Sequence, residues 1–418
     1  MPISRLQPTV LRTLQPVVPR SAPAPIKKAP RSDFELARAK GPSLDGRRPI
    51  VTRDDAIKRA RELLEGKVTS TTGADGHVVV QDAPHVNDSA DLKGKRADEA
   101  ARQVADNVAL EGEALDKLSP RDRARYHSVK KALMEAGEGR PHGDPVGALA
   151  LQTMLLEGKL PGEKAIGGKD TLLTSLSRLN QQELAPGIDR QQLLADVVQE
   201  VAVPEAIAQR NRGTCVPTSI EIQLAQQNPA EYVRLIAGLA SPTGEVTTVG
   251  GDVLKREVGV IDDGTPRSMS QKLLAPALME LGDGLADYNN EEDKHVGGEL
   301  DGKSGLTAAQ ADVVLESLYG HDFAFQSTQS AEEKKAGTDF VLEELKAGRD
   351  VIVGIKWGTG GHKVLVTGTQ TRDGVDYLKV INPWGREELI PRKDFEARLR
   401  NVNYDPTADR AEGAGLDP

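Results

Sequence analysis

The 418-residue chain has one cysteine, Cys215, and two tryptophans, Trp357 and Trp384. A lone cysteine excludes an intrachain disulfide, so the fold must hold without covalent cross-links. It also excludes a zinc site built from several thiolates. No apolar run approaches the roughly 18–20 residues that a bilayer span needs, which argues against an integral membrane protein. What is present is ordinary for a globular protein: 38% hydrophobic and 28% charged residues, enough for at least one real core. The length predicts two or three domains.

Charge is distributed unevenly. Residues 1–50 carry ten Lys/Arg and three Asp/Glu, whereas the remainder carries 44 basic against 60 acidic residues. So acidic a body argues against a general nucleic-acid binder, whose affinity rests on neutralising phosphates, and no nucleic-acid partner is expected. The same first fifty residues hold nine prolines, too many for helix or sheet, so 1–50 reads as an extended, disordered basic tail. Prolines and arginines interrupt every candidate apolar stretch there, so no Sec signal peptide is expected. This leaves the cytoplasm or a specialised export route.

Residues 51–202 read as mainly helical. Apolar residues three and four apart, and caps such as Ser119-Pro120, predict helices over 53–65, 97–118, 120–136, 145–157, 169–179 and 189–201. The Ala-rich stretch from Ala97 offers few large side chains and is expected to pack weakly or only against a partner. Residues 203–404 change character: a helix after Cys215, another opening at Asn228-Pro229, then strands over 351–357, 363–367 and 377–381. Residues 405–418 are polar and expected to fray. The expected class is α+β, helices first and antiparallel sheet last.

Three segments of the final region carry chemistry together. In Gln209-Arg210-Asn211-Arg212-Gly213-Thr214-Cys215-Val216-Pro217, the glycine permits a tight turn and the proline fits only the first turn of a helix. Cys215 therefore sits at a helix N-terminus, where backbone N–H groups and the macrodipole favour a thiolate and are expected to lower its pKa. In Gly360-Gly361-His362-Lys363, a histidine opens a strand. In Ile381-Asn382-Pro383-Trp384-Gly385, an asparagine ends one. Between the two strands lies Asp373-Gly374, a hairpin signal. A turn centred on Arg372 pairs His362 with Asn382, Val364 with Val380 and Val366 with Leu378, burying the valines and Leu378 on one face. A thiol at a helix start, an imidazole and an amide that aligns it make a nucleophile, base and orienter. Gln209, aimed at a developing oxyanion in a dry cleft, supplies about 3–4 kcal/mol of transition-state stabilisation.

The Gln-x5-Cys spacing, the order Cys, His, Asn and the Asn382-Pro383-Trp384-Gly385 end resemble the papain-like cysteine peptidases, with the last motif similar to calpain-type catalytic domains. Val216 after the cysteine and Thr214 before it depart from that pattern. The resemblance spans about residues 203–400. It implies a papain-like catalytic domain acting on a polypeptide substrate through an acyl-enzyme on Cys215, with His362 as base and acid, Asn382 as orienter, Gln209 as oxyanion donor and no cofactor. The same chemistry run on a glutamine side chain is a transglutaminase or deamidase. A different class of function is a binding or scaffold protein with an inactive hydrolase-like domain, and the helical region 51–202 then serves as partner surface, lid or propeptide. Elsewhere, residues 289–293 (Asn-Asn-Glu-Glu-Asp) read as a solvated acidic loop. Gly250-Gly251 and Gly297-Gly298 lack the Lys-Ser/Thr partner of a phosphate loop, and the remaining histidines are scattered singly.

Overall fold

The computed structural model describes residues 52–66, 68–73, 76–82, 86, 93–137 and 139–408. The expectations for residues 1–50 and 409–418 lie outside them. In chain order, α1 (Arg53–Leu64) precedes a hairpin of β1 (Val68–Thr72) and β2 (Val78–Asp82). Eight helices follow: α2 (Lys95–Asp106), α3 (Val108–Leu115), α4 (Pro120–Met134), α5 (Pro145–Leu156), α6 (Leu172–Gln181), α7 (Arg190–Ala202), α8 (Cys215–Gln227) and α9 (Pro229–Ala240). The short pair β3 (Glu245–Thr247) and β4 (Val253–Lys255) leads to α10 (Met269–Asp283), and β5 (Asp287–Asn289) and β6 (Lys294–Val296) lead to α11 (Ala308–Tyr319). The chain then runs through β7 (Ala324–Ser327), α12 (Ala331–Lys346), β8 (Val351–Trp357), β9 (Gly360–Arg372), β10 (Val375–Asn382), β11 (Arg386–Pro391), α13 (Arg392–Arg398) and β12 (Leu399–Tyr404).

The helix ends follow local chemistry. Ser119 accepts the Asp122 N–H ahead of Pro120, and Asn228 accepts the Glu231 N–H ahead of Pro229, so each side chain satisfies a backbone donor that the first turn leaves over. α5 is buried along its whole length, consistent with an apolar run that has no polar face. The stretch from Ala97 is two helices rather than one, broken at Asn107. It packs firmly and not weakly: Ala97, Ala100 and Val104 are buried, because small side chains let α2 approach α5 closely.

Eight strands form one mixed-order sheet, β1-β2-β11-β10-β9-β8-β12-β7, and every pairing in it is antiparallel. The sheet is therefore not confined to the end of the chain. The hairpin β1–β2 joins β11, and β7, β11 and β12 were not apparent from alternation because each is short or mixed in polarity. On one face Val351, Val353, Ile355, Val364, Val366, Leu378 and Val380 pack against Phe340 and Val341 of α12 and Phe395 of α13. Each such side chain contributes about 1.5–3 kcal/mol by leaving water. By the pleat, Lys363 and Leu365 face the opposite side, where α8 packs on β9.

The β9–β10 turn closes on Arg372 and Val375, with Asp373 and Gly374 both at positive φ (51° and 77°). This is the two-residue hairpin that Asp-Gly favours. It corrects the expected register: Val366 lies opposite Val380 and Leu365 opposite Ile381, not Val364 opposite Val380. A bulge between Lys379 and Val380 restores the side-chain parity that the turn alone shifts by one. The valines expected on one face are still there, two positions displaced.

Candidate active site

Cys215 is the first residue of α8, with Pro217 in its first turn, as the motif requires. The helix is the buried core of this region; every residue from Val216 to Ala225 is buried, while Cys215 itself is half-buried. Ser219, one turn on, donates its hydroxyl to the Lys363 carbonyl at 3.2 Å, which fixes the helix start against β9. The backbone N–H groups of Lys363 and Val216 interact with the sulfur, as does the Lys363 charge. These favour the thiolate, but burial outweighs them and pushes the Cys215 thiol above its ordinary pKa. This reverses the expectation of a lowered thiol: the helix-end donors are present, but desolvation of an anion is the larger effect.

Although His362 and Asn382 are not directly opposite in the ladder, their side chains meet: His362 Nε2 lies 2.8 Å from Asn382 Oδ1. Asn382 is completely buried, and its orientation is fixed on both ends. Its Nδ2 donates to Glu388 at 3.3 Å to each carboxylate oxygen, and its Oδ1 also accepts the Trp384 backbone N–H at 3.2 Å. A carboxylate can only accept, so Oδ1 must face the imidazole. Nε2 of His362 is then the donor, and Nδ1 carries the lone pair. Trp384 stacks on the imidazole with ring centroids 4.6 Å apart, and Trp357 meets it edge-on at 5.6 Å. Burial lowers the His362 pKa below 6.5, opposed by the Asn382 bond and the Glu388 charge. Thiol and imidazole are thus both biased to their neutral forms.

Gln209 reaches the same corner through its backbone. Its N–H donates to the Pro383 carbonyl at 2.8 Å, and Ala208 bridges to Trp384. Its side-chain Nε2 donates to the Arg212 carbonyl at 2.5 Å. That acceptor uses one of the two amide hydrogens and determines which end of the side chain is the donor, leaving the second N–H. His362, Asn382 and Gln209 are therefore joined around Pro383-Trp384, whereas Cys215 meets Lys363, the residue after His362, and no hydrogen bond joins its sulfur to the imidazole.

Four supporting residues were not apparent from sequence. Asp293 accepts the Gly213 N–H at 2.9 and 2.8 Å and the Tyr288 hydroxyl at 2.7 Å. The segment 289–293 is solvated only in part: Glu291 and Glu292 are exposed, but Asp293 clamps the turn before the cysteine and Asn290 is buried. Gly213 is required by a close approach, since a Cβ there meets the Ser304 carbonyl oxygen at 2.5 Å. Lys363 is buried, and its Nζ donates to Asn401 Oδ1 at 2.6 Å and to Asn403 Oδ1. Asn403 in turn donates to Asp312 at 2.5 Å. Burial lowers Lys363 to about 8, and it raises Asp312 to about 6. Glu388 and His77, on β11 and just before β2, lie behind Asn382; a lone histidine and a charged strand residue carry no local signal of such burial. Among the described residues, no group of three or more His, Cys, Asp or Glu side chains could hold a metal ion, and no helix is long and apolar enough to cross a membrane.

A scan against protein-family models gives no match, and a search of curated proteins finds no relative.

Proposed function

We propose that the chain is a papain-like thiol hydrolase, most simply a cysteine peptidase, with Cys215 as nucleophile. The observation that carries this reading is the 2.8 Å bond from His362 to a fully buried Asn382, beneath the Trp384 indole, beside a helix whose first residue is the only cysteine. A purely structural histidine needs no amide of fixed orientation, and the sulfur of Cys215 meets the backbone N–H of the next residue, Lys363.

In this mechanism His362 Nδ1 takes the Sγ proton as the sulfur attacks the substrate carbonyl carbon, and the carbonyl π pair moves to oxygen. The Cys215 backbone N–H and the second N–H of Gln209 stabilise that oxyanion. The C–N bond breaks as His362 returns the proton to the leaving amine, which leaves a thioester on Cys215. Water then attacks the thioester, giving its proton to His362. The carboxylic acid departs, and the sulfur recovers the proton. Because thiol and imidazole both favour the neutral state, proton transfer accompanies attack rather than preceding it. Asn382 holds the ring in the one tautomer that can accept at Nδ1.

The test is labelling of the full chain with a peptidyl vinyl sulfone, located by mass spectrometry and paired with hydrolysis of a peptide library. The expected result is modification at Cys215 that disappears in His362→Ala, with hydrolysis lost in Cys215→Ala while the circular dichroism spectrum is retained. Glutamine–amine transfer without peptide cleavage places the chemistry in the transglutaminase class. Absence of labelling in a folded protein refutes the hydrolase.

A further inference from the structure

Behind the amide of Asn382 lies an arrangement that the steps above do not use. Glu388, only 1% exposed, presents both carboxylate oxygens to Asn382 Nδ2 at 3.3 Å. His77 Nε2 lies 2.9 Å from Glu388 Oε2, a close polar approach whose angle falls short of a hydrogen bond. Among the described residues no lysine or arginine is paired with Glu388, so its charge is buried against an amide and an imidazole alone. Ion burial of this kind is costly without a matched partner. Yet the neighbouring Leu389 sits comfortably in an apolar cluster with Val78 and Val80, so an apolar residue at 388 would not be foreign to this strand.

His77 belongs to the β1–β2 hairpin. It enters β2, which is held on β11 in a register that sets Glu388 opposite Val79. Its ring is also edge-on to Trp357 at 5.4 Å, and Trp357 in turn meets both His362 and Trp384. The hairpin thus contributes a side chain to the rear wall of the site.

We infer that Glu388, steadied by His77, is a positioning residue for the Cys215–His362–Asn382 site: it locks the Asn382 amide so that its carbonyl faces the imidazole, and its charge favours the imidazolium. The lock follows from valence. Asn382 has one donating and one accepting end, and a carboxylate offers no hydrogen, so the flipped amide would set two acceptors face to face. Glutamine at the same position can turn either end towards Asn382, which removes the carboxylate's part of the lock while keeping the shape and leaves only the Trp384 N–H to orient the amide. The inference rests on the proposed hydrolase for its catalytic meaning, but the geometry it asserts is measurable without turnover.

The experiment uses the full chain with 15N-histidine and reads the tautomer and titration of His362 by NMR, alongside vinyl-sulfone labelling of Cys215. In the wild type the ring is expected as the Nε2–H tautomer. Glu388→Gln is expected to shift the His362 titration down by about one pH unit, a tenfold change in the equilibrium. It should also mix the tautomers and slow labelling about as much. His77→Gln is expected to shift both readouts in the same direction and by less. If Glu388→Gln lowers stability, the still-folded His77→Gln variant decides the matter, since its shift depends on the same carboxylate. An unchanged tautomer and titration in both variants overturn the inference. A wild type that fails to label, yet shows the tautomer and its loss in Glu388→Gln, refutes the hydrolase and leaves the positioning role intact.

Discussion

Lys363 offers a sharp thermodynamic test of the site's surroundings. Its ammonium is buried, its hydrogen-bond acceptors are two neutral amides, and burial lowers its pKa from 10.5 to about 8. That fall corresponds to about 3.4 kcal/mol set against the charged form by folding. The sign follows from proton counting. Between about pH 8 and pH 10.5 the unfolded chain holds this proton and the folded chain does not, so this group's contribution to stability rises with pH through that window and is lost as pH falls through 8. Integrated over the window, the gain is about 2.5 kcal/mol. Lys363→Met has no such proton and fills similar volume, but leaves the carbonyls of Asn401 and Asn403 without their donor, at about 1–3 kcal/mol each. Other groups titrate in the same range, so the quantity to measure is the difference between wild type and variant. Urea unfolding at pH 8 and pH 10.5 should show the wild type gaining about 2–3 kcal/mol on Lys363→Met as pH rises. A difference that is the same at both values would mean that the lysine is already solvated, and the picture of a dry region beneath Cys215 would fall with it.

The carboxylates between α7, α8 and α10 predict the opposite slope. Glu221 is fully buried, accepts from Gln271 Nε2 at 2.6 Å and is raised well above 4.5 by burial. Its stabilising neutral state is lost as pH rises, so Glu221→Gln should flatten the decline of melting temperature between pH 5 and 9; an unchanged slope refutes the protonated assignment. Iodoacetamide should alkylate Cys215 with a midpoint above the free-thiol value of about 8.5; a plateau extending to acidic pH would reveal a preformed ion pair instead. Gly213→Ala places a Cβ against the Ser304 carbonyl. It should cost about 1–3 kcal/mol in urea unfolding and slow labelling of Cys215, whereas a neutral substitution would show that the 302–305 segment yields freely.

Much of the candidate site was legible because its signals are local. Pro217 set the helix start at Cys215, and Asp373-Gly374 set a hairpin between His362 and Asn382. The predicted register was nevertheless two positions out, since neither the exact turn nor the Lys379–Val380 bulge is encoded by alternation. The meeting of His362 and Asn382 survived because a displacement of two preserves the face. The sheet's outer strands were missed for a different reason. β2 and β11 pair across nearly the whole chain, and no local pattern announces a partner so distant. Glu388 and Lys363 were missed because charge in a strand ordinarily marks a solvent face, and here each is buried. The thiol's direction was misjudged because helix-end donors can be read from sequence and desolvation cannot.

The order of strands has a consequence for biosynthesis. β2 leaves the ribosome well before the strand it docks on, so the hairpin must wait for the whole stretch from Asp82 to Arg386 to be made before it can be zipped in place. Closure over so long a loop is slow. A nascent chain that stops short of β11 has neither Glu388 nor the ladder that brings His77 to it, so the rear wall behind Asn382 forms only after β11 has been made.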